Sequence, residues 1–273
     1  MFDCADDLTA KGIFQAFHNQ ASKKFGQNFL FDSNINRKIV ATAGDLSDKV
    51  VMEVGPGPGG ITLEILRQPI KKLYVVELDS HWAEVWKSLA DLFEGRLEVI
   101  HQDALKFHES EISPQIIISN LPYNISTQLL LKWLKNLDVY ETLVLMFQKE
   151  VADRLYAKPC TKTYGKLSVL TQWKATVEKI FDLEPGCFVP PPKVKSTVVR
   201  LKPKTNVTGD FQLFSKVLND IFQQKRKQVV RSLKKYITNA EQLLFDLGYT
   251  TTARAEEITV EDFSKIIQKY LNL

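Results

Sequence analysis

Cysteine and histidine are scarce in this 273-residue chain, and their scarcity removes whole classes of chemistry. The three cysteines, Cys4, Cys160 and Cys187, are odd in number, far apart and without a partner at zinc-ligand spacing. That pattern argues against a disulfide framework and a structural metal, leaving reduced thiols. The four histidines, His18, His81, His101 and His108, form no HxxxH pair or other catalytic pattern, so no metal site is expected. No stretch approaches the roughly 20 apolar residues of a membrane span, which argues against a membrane partner. Neither charge dominates: 36 basic and 32 acidic residues leave a net charge of +4, which permits nucleic-acid binding without requiring it. Asp3, Asp6 and Asp7 precede the first basic residue and oppose a secretory signal or an Arg-rich transit peptide, so a cytoplasmic protein is expected.

What the chain does contain is alternation. Val50–Val54, Leu73–Leu78, Leu97–Ile100, Ile116–Ser119 and Thr142–Phe147 are β-rich runs, separated by helical patterns at Ile61–Arg67, His81–Phe93 and Thr127–Leu137. Strand alternating with helix predicts an α/β, doubly wound, Rossmann-like sheet with its ligand crevice at the carboxyl ends of the strands. Ser196–Leu201 reads as a late strand, and the polar stretch 202–210 as a linker. Beyond it, Phe211, Phe214, Leu218, Ile221 and Phe222 recur at helical spacing, as do Val229 with Leu233 and Ile258 through Tyr270. The expected organisation is an N-terminal extension (1–21), a Rossmann-like domain (22–207) and a small all-helical domain (208–273).

The first strand runs into Glu53-Val54-Gly55-Pro56-Gly57-Pro58-Gly59-Gly60. A glycine-rich strand-to-helix turn lets backbone approach a ligand closely. Gly55, Gly57 and Gly60 also satisfy GxGxxG, so the glycines alone leave methyltransferase, dehydrogenase and plain structural turn open. Glu77 closes the second strand where a carboxylate accepts both hydroxyls of a ribose, a requirement that NAD and S-adenosylmethionine share. Asp103, after the third strand, suits the amino group of an adenine, or simply caps its own turn.

The motif that decides between them is Asn120-Leu121-Pro122-Tyr123, where the fourth strand enters the crevice. A dehydrogenase has no evident use for it. The exocyclic amine of adenine is a poor nucleophile because its lone pair is delocalised into the ring, so a methylase needs acceptors for the amine's N–H bonds. The Asn120 amide oxygen and the Leu121 carbonyl supply two, with Pro122 forcing Leu121 into an extended conformation. Tyr123 can stack on the base. The absence of a histidine or paired-carboxylate constellation agrees, because a sulfonium methyl donor needs positioning more than acid–base chemistry.

These residues resemble the KsgA/Erm family of rRNA adenine N6-methyltransferases, over most of the chain. Phe25-Gly26-Gln27-Asn28-Phe29-Leu30 is similar to the family's N-terminal cofactor motif, Glu53–Gly59 to its glycine loop and Asn120–Asn124 to its catalytic loop. Cys187-Phe188-Val189-Pro190-Pro191-Pro192-Lys193-Val194 resembles a motif whose phenylalanine helps hold the target base. The resemblance implies S-adenosylmethionine as cofactor, held by Gln27, Asn28, Leu30, Glu53, Gly55, Gly57, Glu77, Asp103 and Asn120. It implies a flipped adenine among Asn120, Leu121, Tyr123 and Phe188. Asn120-Leu121-Pro122-Tyr123-Asn124-Ile125-Ser126 is nearer the KsgA branch than the Erm branch. The implied substrate is therefore a pair of adjacent adenosines near the 3′ end of 16S rRNA in a 30S assembly particle, each dimethylated, and the implied enzyme is a monomer. Lys195 and Arg231 depart from the family pattern, which usually places an acidic residue and an asparagine there.

Lys225 to Lys235 holds six basic residues and no acidic one. Such a cluster is either a solvated helix face or an RNA contact. Lys193, Lys195, Arg200, Lys202 and Lys204 form a second acid-free stretch beside the target-base motif. Lys193, Lys195, Lys225, Arg226, Lys227 and Arg231 are the expected RNA-binding residues, contacting phosphates that position RNA without reading its sequence. An NAD-dependent oxidoreductase and an RNA-binding assembly factor, for which methylation is secondary to occupying an immature small subunit, are the rival readings.

Overall fold

A computed structural model of the chain describes residues 4–17, 26–205, 207–224 and 227–270. The expected residues Phe25, Lys225 and Arg226 lie outside them. In chain order the regular elements of the first part are α1 (Ala10–Ala16), β1 (Phe29–Leu30), α2 (Ser33–Ala41), β2 (Val50–Val54), α3 (Gly60–Leu66), β3 (Lys72–Glu77), α4 (Ser80–Leu89) and β4 (Leu97–His101). They continue with β5 (Ile116–Asn120), α5 (Ser126–Leu134), β6 (Thr142–Gln148), α6 (Lys149–Leu155), α7 (Lys166–Lys174), β7 (Ala175–Leu183), β8 (Phe188–Val189) and β9 (Ser196–Pro203). The remainder is helical: α8 (Phe211–Phe222), α9 (Val229–Leu233), α10 (Ala240–Asp246) and α11 (Val260–Tyr270).

Seven strands make one sheet in the order β4-β3-β2-β5-β6-β9-β7. The first five are parallel, and β9 runs antiparallel to β6. This is the α/β, doubly wound architecture expected from the alternation, with the chain reversing direction across the sheet at β2. Parallel strands covered on both faces are continuous hydrophobic runs, and the inner ones fit: Ile116, Ile117, Ile118, Leu143, Val144 and Leu145 are all at most 1% exposed. The largest apolar groups of the adjoining core, Trp82 and Trp86, come from α4 and are wholly buried. Helices begin where side chains satisfy their first free N–H groups. Asp32 caps α2 by accepting from Asn34 and Ile35, and Asp79 caps α4 by accepting from His81.

The chain divides into two compact units, the first comprising residues 1–133, 138–152 and 178–202, the second 134–137, 153–177 and 203–273. The sheet belongs essentially to the first. The second is built on an aromatic cluster in which Trp173 meets Phe214 edge-on at 4.2 Å between ring centroids and Phe222 meets Phe263 at 5.8 Å. Thus α7, which precedes β7, groups with the C-terminal helices.

Candidate active site

Parallel pairing of β3, β2 and β5 carries their carboxyl ends to one edge of the sheet, and β4 ends beside β3. At that edge a cavity of about 290 Å³ is lined by the glycine loop, Glu77, Asp103, the Asn120–Ile125 loop and residues 26–30. Every residue expected at the cofactor falls on its wall, as do Leu121 and Tyr123. The lining residues that were not anticipated include Asn36, Leu78 and Gln102. Leu78, the last residue of the second β-rich run, falls just past the end of β3 and is 49% exposed although large and apolar.

The glycines of the loop have separate reasons to be there. Gly55, Gly57 and Gly59 all have positive φ (70°, 49° and 89°), which favours glycine in itself. A Cβ on Gly55 would meet nothing nearer than Pro122 at 3.7 Å, so its backbone is open toward the cavity. On Gly59 it would lie 2.1 Å from the Trp86 ring, and on Gly60 2.4 Å from the Leu30 carbonyl. Those two glycines serve protein packing, with Trp86 fixed by its indole N–H donating to the Gly57 carbonyl at 2.8 Å.

Two carboxyls sit in this wall under different constraints. Glu53, 2% exposed, accepts from the Thr62 hydroxyl at 2.6 Å, and burial pushes its pKa up to about 8. Glu77 is also raised by burial, to about 7, a rise opposed by the backbone N–H groups of Asp79, Gly57 and Leu78. Burial thus holds both carboxyls well above the ordinary carboxylate range. Asp103 uses Oδ1 to accept from the Leu105 N–H at 2.9 Å, so it caps its turn as well as lining the cavity.

The N-terminal motif is tied to the rest of the site by hydrogen bonds between residues distant in sequence. Gln27 Nε2 donates to Asp79 at 2.9 Å, Asn36 Nδ2 donates to the Leu30 carbonyl at 3.0 Å, and Asn120 Nδ2 donates to the Asn28 carbonyl at 3.1 Å. That last bond orients the Asn120 amide and leaves its Oδ1 without a partner among the described residues. The Tyr123 hydroxyl is held by Ser196 Oγ at 2.5 Å.

Phe188 departs from its expected place. It pairs with Leu30 in the two-stranded β1–β8 sheet, is 2% exposed, and does not line the cavity. Its ring belongs to the core behind β1 and presents no open face to a base. The basic residues lie elsewhere. Lys193, Lys195, Lys227 and Arg231 are exposed, with Lys195 paired to Glu184 at 2.5 Å. Among the described residues there is no cluster of side chains able to hold a metal ion, and no helix is long and apolar enough to cross a membrane.

Comparison with known proteins identifies the family. A family model described as "Ribosomal RNA adenine dimethylase" matches residues 18–272. The chain belongs to the ribosomal RNA adenine dimethylase family. It is an S-adenosylmethionine-dependent enzyme that dimethylates adenine in ribosomal RNA. Relatives of this dimethylase include ribosomal RNA small subunit methyltransferase A of Paramagnetospirillum magneticum, 44% identical over 247 residues, with 89% of this chain and 88% of the relative covered. The protein of the same name from Rhizobium johnstonii is 42% identical, with 93% and 94% covered. Among solved structures, a dimethyladenosine transferase from Plasmodium falciparum is 27% identical with a TM-score of 0.77, covering 89% of this chain and 98% of that one. The 23S rRNA methyltransferase ErmE, 22% identical with a TM-score of 0.68 over 89% of this chain and 99% of its own, shares the dimethylase's fold.

The cavity suits the family's cofactor by the chemistry of its walls. It offers an ionisable carboxylate in Glu77, an amide acceptor in Asn36 Oδ1 that is buried without a hydrogen-bond partner, and the open backbone of Gly55. A nucleoside bearing hydroxyls and a charged amino-acid tail matches that mixture of acceptors and apolar surface.

Proposed function

We propose that this enzyme dimethylates the N6 amines of two adjacent adenosines near the 3′ end of 16S rRNA, acting as a cytoplasmic monomer on a small-subunit (30S) assembly particle. The choice of the small subunit draws on the names of the relatives and on the Asn-Leu-Pro-Tyr-Asn-Ile-Ser loop. The observation that carries the chemistry is the Asn120 amide, whose donor end is tied to Asn28 while its acceptor end shares a cavity with Glu77.

S-adenosylmethionine, when bound, supplies a methyl group already activated on a sulfonium. The residues of the chain hold and orient. Glu77 accepts the ribose hydroxyls and Asp103, through the oxygen not used in its turn, accepts from the adenine amino group of the cofactor. Gln27, Asn28, Leu30, Glu53, Gly55 and Gly57 form the surrounding wall. Asn120 Oδ1 and the Leu121 carbonyl accept the N–H bonds of the target amine and direct its lone pair along the line of displacement. Tyr123, anchored by Ser196, offers a face to the extruded base, because an enzyme acting on a nucleobase must take it out of its stack. Phe188 serves by packing behind β1. Lys193, Lys195, Lys225, Arg226, Lys227 and Arg231 contact phosphates of the RNA backbone.

The test is to incubate the protein with labelled S-adenosylmethionine and undermethylated 30S particles and to map the modified bases. Two adjacent dimethyladenosines near the 3′ end of 16S rRNA are expected. Label confined to other nucleotides or to the large-subunit RNA overturns the assignment.

A further inference from the structure

A second concavity, wholly within the second unit, has the character of an anion site. It gathers Lys135 from the turn after α5, Lys166 from the first turn of α7, and Lys216 from α8, together with Gln212, Ser215 and Asn219. Gln212, Ser215, Lys216 and Asn219 share one face of α8, since they recur at helical spacing. The opposite face is apolar, with Phe214, Val217, Leu218 and Ile221 buried. The wall contains hydrogen-bonding amides, a hydroxyl and three ammonium groups, and no carboxylate.

None of the three lysines makes an ion pair among the described residues. Of the carboxylates near α8, Asp210 caps the helix by accepting from the Leu213 N–H at 2.7 Å, while Asp220, one turn on from Lys216 and in electrostatic reach of it, binds the Tyr236 hydroxyl at 2.7 Å and Lys235 at 3.6 Å. Lys166 is the more telling residue. It opens a helix of nine residues, where the positive end of the helix dipole disfavours a cation. It is also partly buried, and that desolvation lowers its pKa, so two independent effects oppose the charge. A cation kept at such a position lowers the stability of the free protein unless an anion arrives to offset it.

We infer that this concavity binds the phosphodiester backbone of the ribosomal RNA substrate, forming a contact surface on α7 and α8 separate from the basic stretches around Lys193 and Lys227. The inference rests on the enzyme's action on ribosomal RNA. Its ligand chemistry is that of phosphates spaced along a strand, which three ammonium groups on three segments meet without reading sequence.

The experiment uses the full chain with Lys135, Lys166 and Lys216 all changed to Gln, and measures affinity for small-subunit rRNA against salt concentration. Each lost phosphate contact reduces the slope of log K against log salt by roughly 0.7 to 0.9, so the triple variant should show a slope smaller by about two to three. Affinity for S-adenosylmethionine should not change. The single change Lys166→Gln should weaken RNA binding while leaving the melting temperature equal or higher, a combination that a structural role for Lys166 would not produce. A folded triple variant with the wild-type slope overturns the inference while leaving the enzyme's function intact. Normal binding to free rRNA with lost binding to 30S particles overturns it too and assigns the surface to an acidic protein. A wild-type protein with no salt-dependent affinity for rRNA defeats both this inference and the proposed function.

Discussion

The Asn120 amide has a donor end and an acceptor end, and within the described protein only the donor end is engaged, by the Asn28 carbonyl. Replacing Asn120 with Ala removes the acceptor and leaves the glycine loop, Glu77 and Asp103 in place. Single-turnover methylation at saturating cofactor and RNA should slow by about 100- to 1,000-fold, the range for losing one preorganised transition-state hydrogen bond. Cofactor binding should persist, and turnover near that of wild type in a folded variant would remove Asn120 from the chemistry. Glu77 yields a pH signature. Burial holds its pKa near 7, and only the ionised form accepts both ribose hydroxyls well. Cofactor affinity measured by calorimetry should therefore rise with pH through about 7 and level off above it. In Glu77→Gln the affinity should be lower and the rise should vanish; a rise that survives belongs to some other group.

The loop after β4 and the helix after the catalytic motif are joined by one lysine. Lys132 of α5 donates to the carbonyls of Ala104, at 2.8 Å, and Phe107, and pairs with Glu109 at 2.8 Å. Glu109 in turn accepts from the Trp133 indole at 2.7 Å. This network holds the turn that carries Asp103 against α5, the helix that directly follows Asn120–Ile125. Lys132→Met would leave a largely buried carboxylate and two carbonyls short of a partner, a loss of order 3 kcal/mol. With Asp103 less firmly placed, KM for S-adenosylmethionine should rise while kcat at saturation changes little. A fall in kcat at unchanged KM would show that the network supports the catalytic loop instead.

Stability of the whole molecule should carry the mark of Glu53. Its carboxyl titrates near 8 when folded and at the ordinary carboxylate value when unfolded, so the folded state binds the proton more tightly. The stability this contributes is complete below about pH 4.5 and is lost as pH rises toward about 8. In chemical denaturation of the cofactor-free protein, Glu53→Gln should match wild type in acid and gain on it steadily up to about pH 8. A constant difference across that range would mean that Glu53 is not held protonated. Much of this molecule was legible in its sequence, because the deciding signals are local. Strand periodicity located the five parallel strands to within a residue or two at their ends, and a parallel sheet then brings Gly55, Glu77, Asp103 and Asn120 to one edge whatever the loops do. The apolar spacing of Phe211 to Phe222 likewise settled α8, since the pattern and the helix share one period. Long-range contacts had no such trace. The place of β7 at the sheet edge, the pairing of β1 with β8, the bond from Gln27 to Asp79 and the Lys132 network each depend on residues far apart in the chain. So does the division of labour among the glycines, which only the positions of Trp86 and Leu30 reveal. Phe188 shows why: resemblance of its motif implies a place beside the target base, yet in the strand pair with Leu30 the ring lies in the core, and only the packed structure sets that direction.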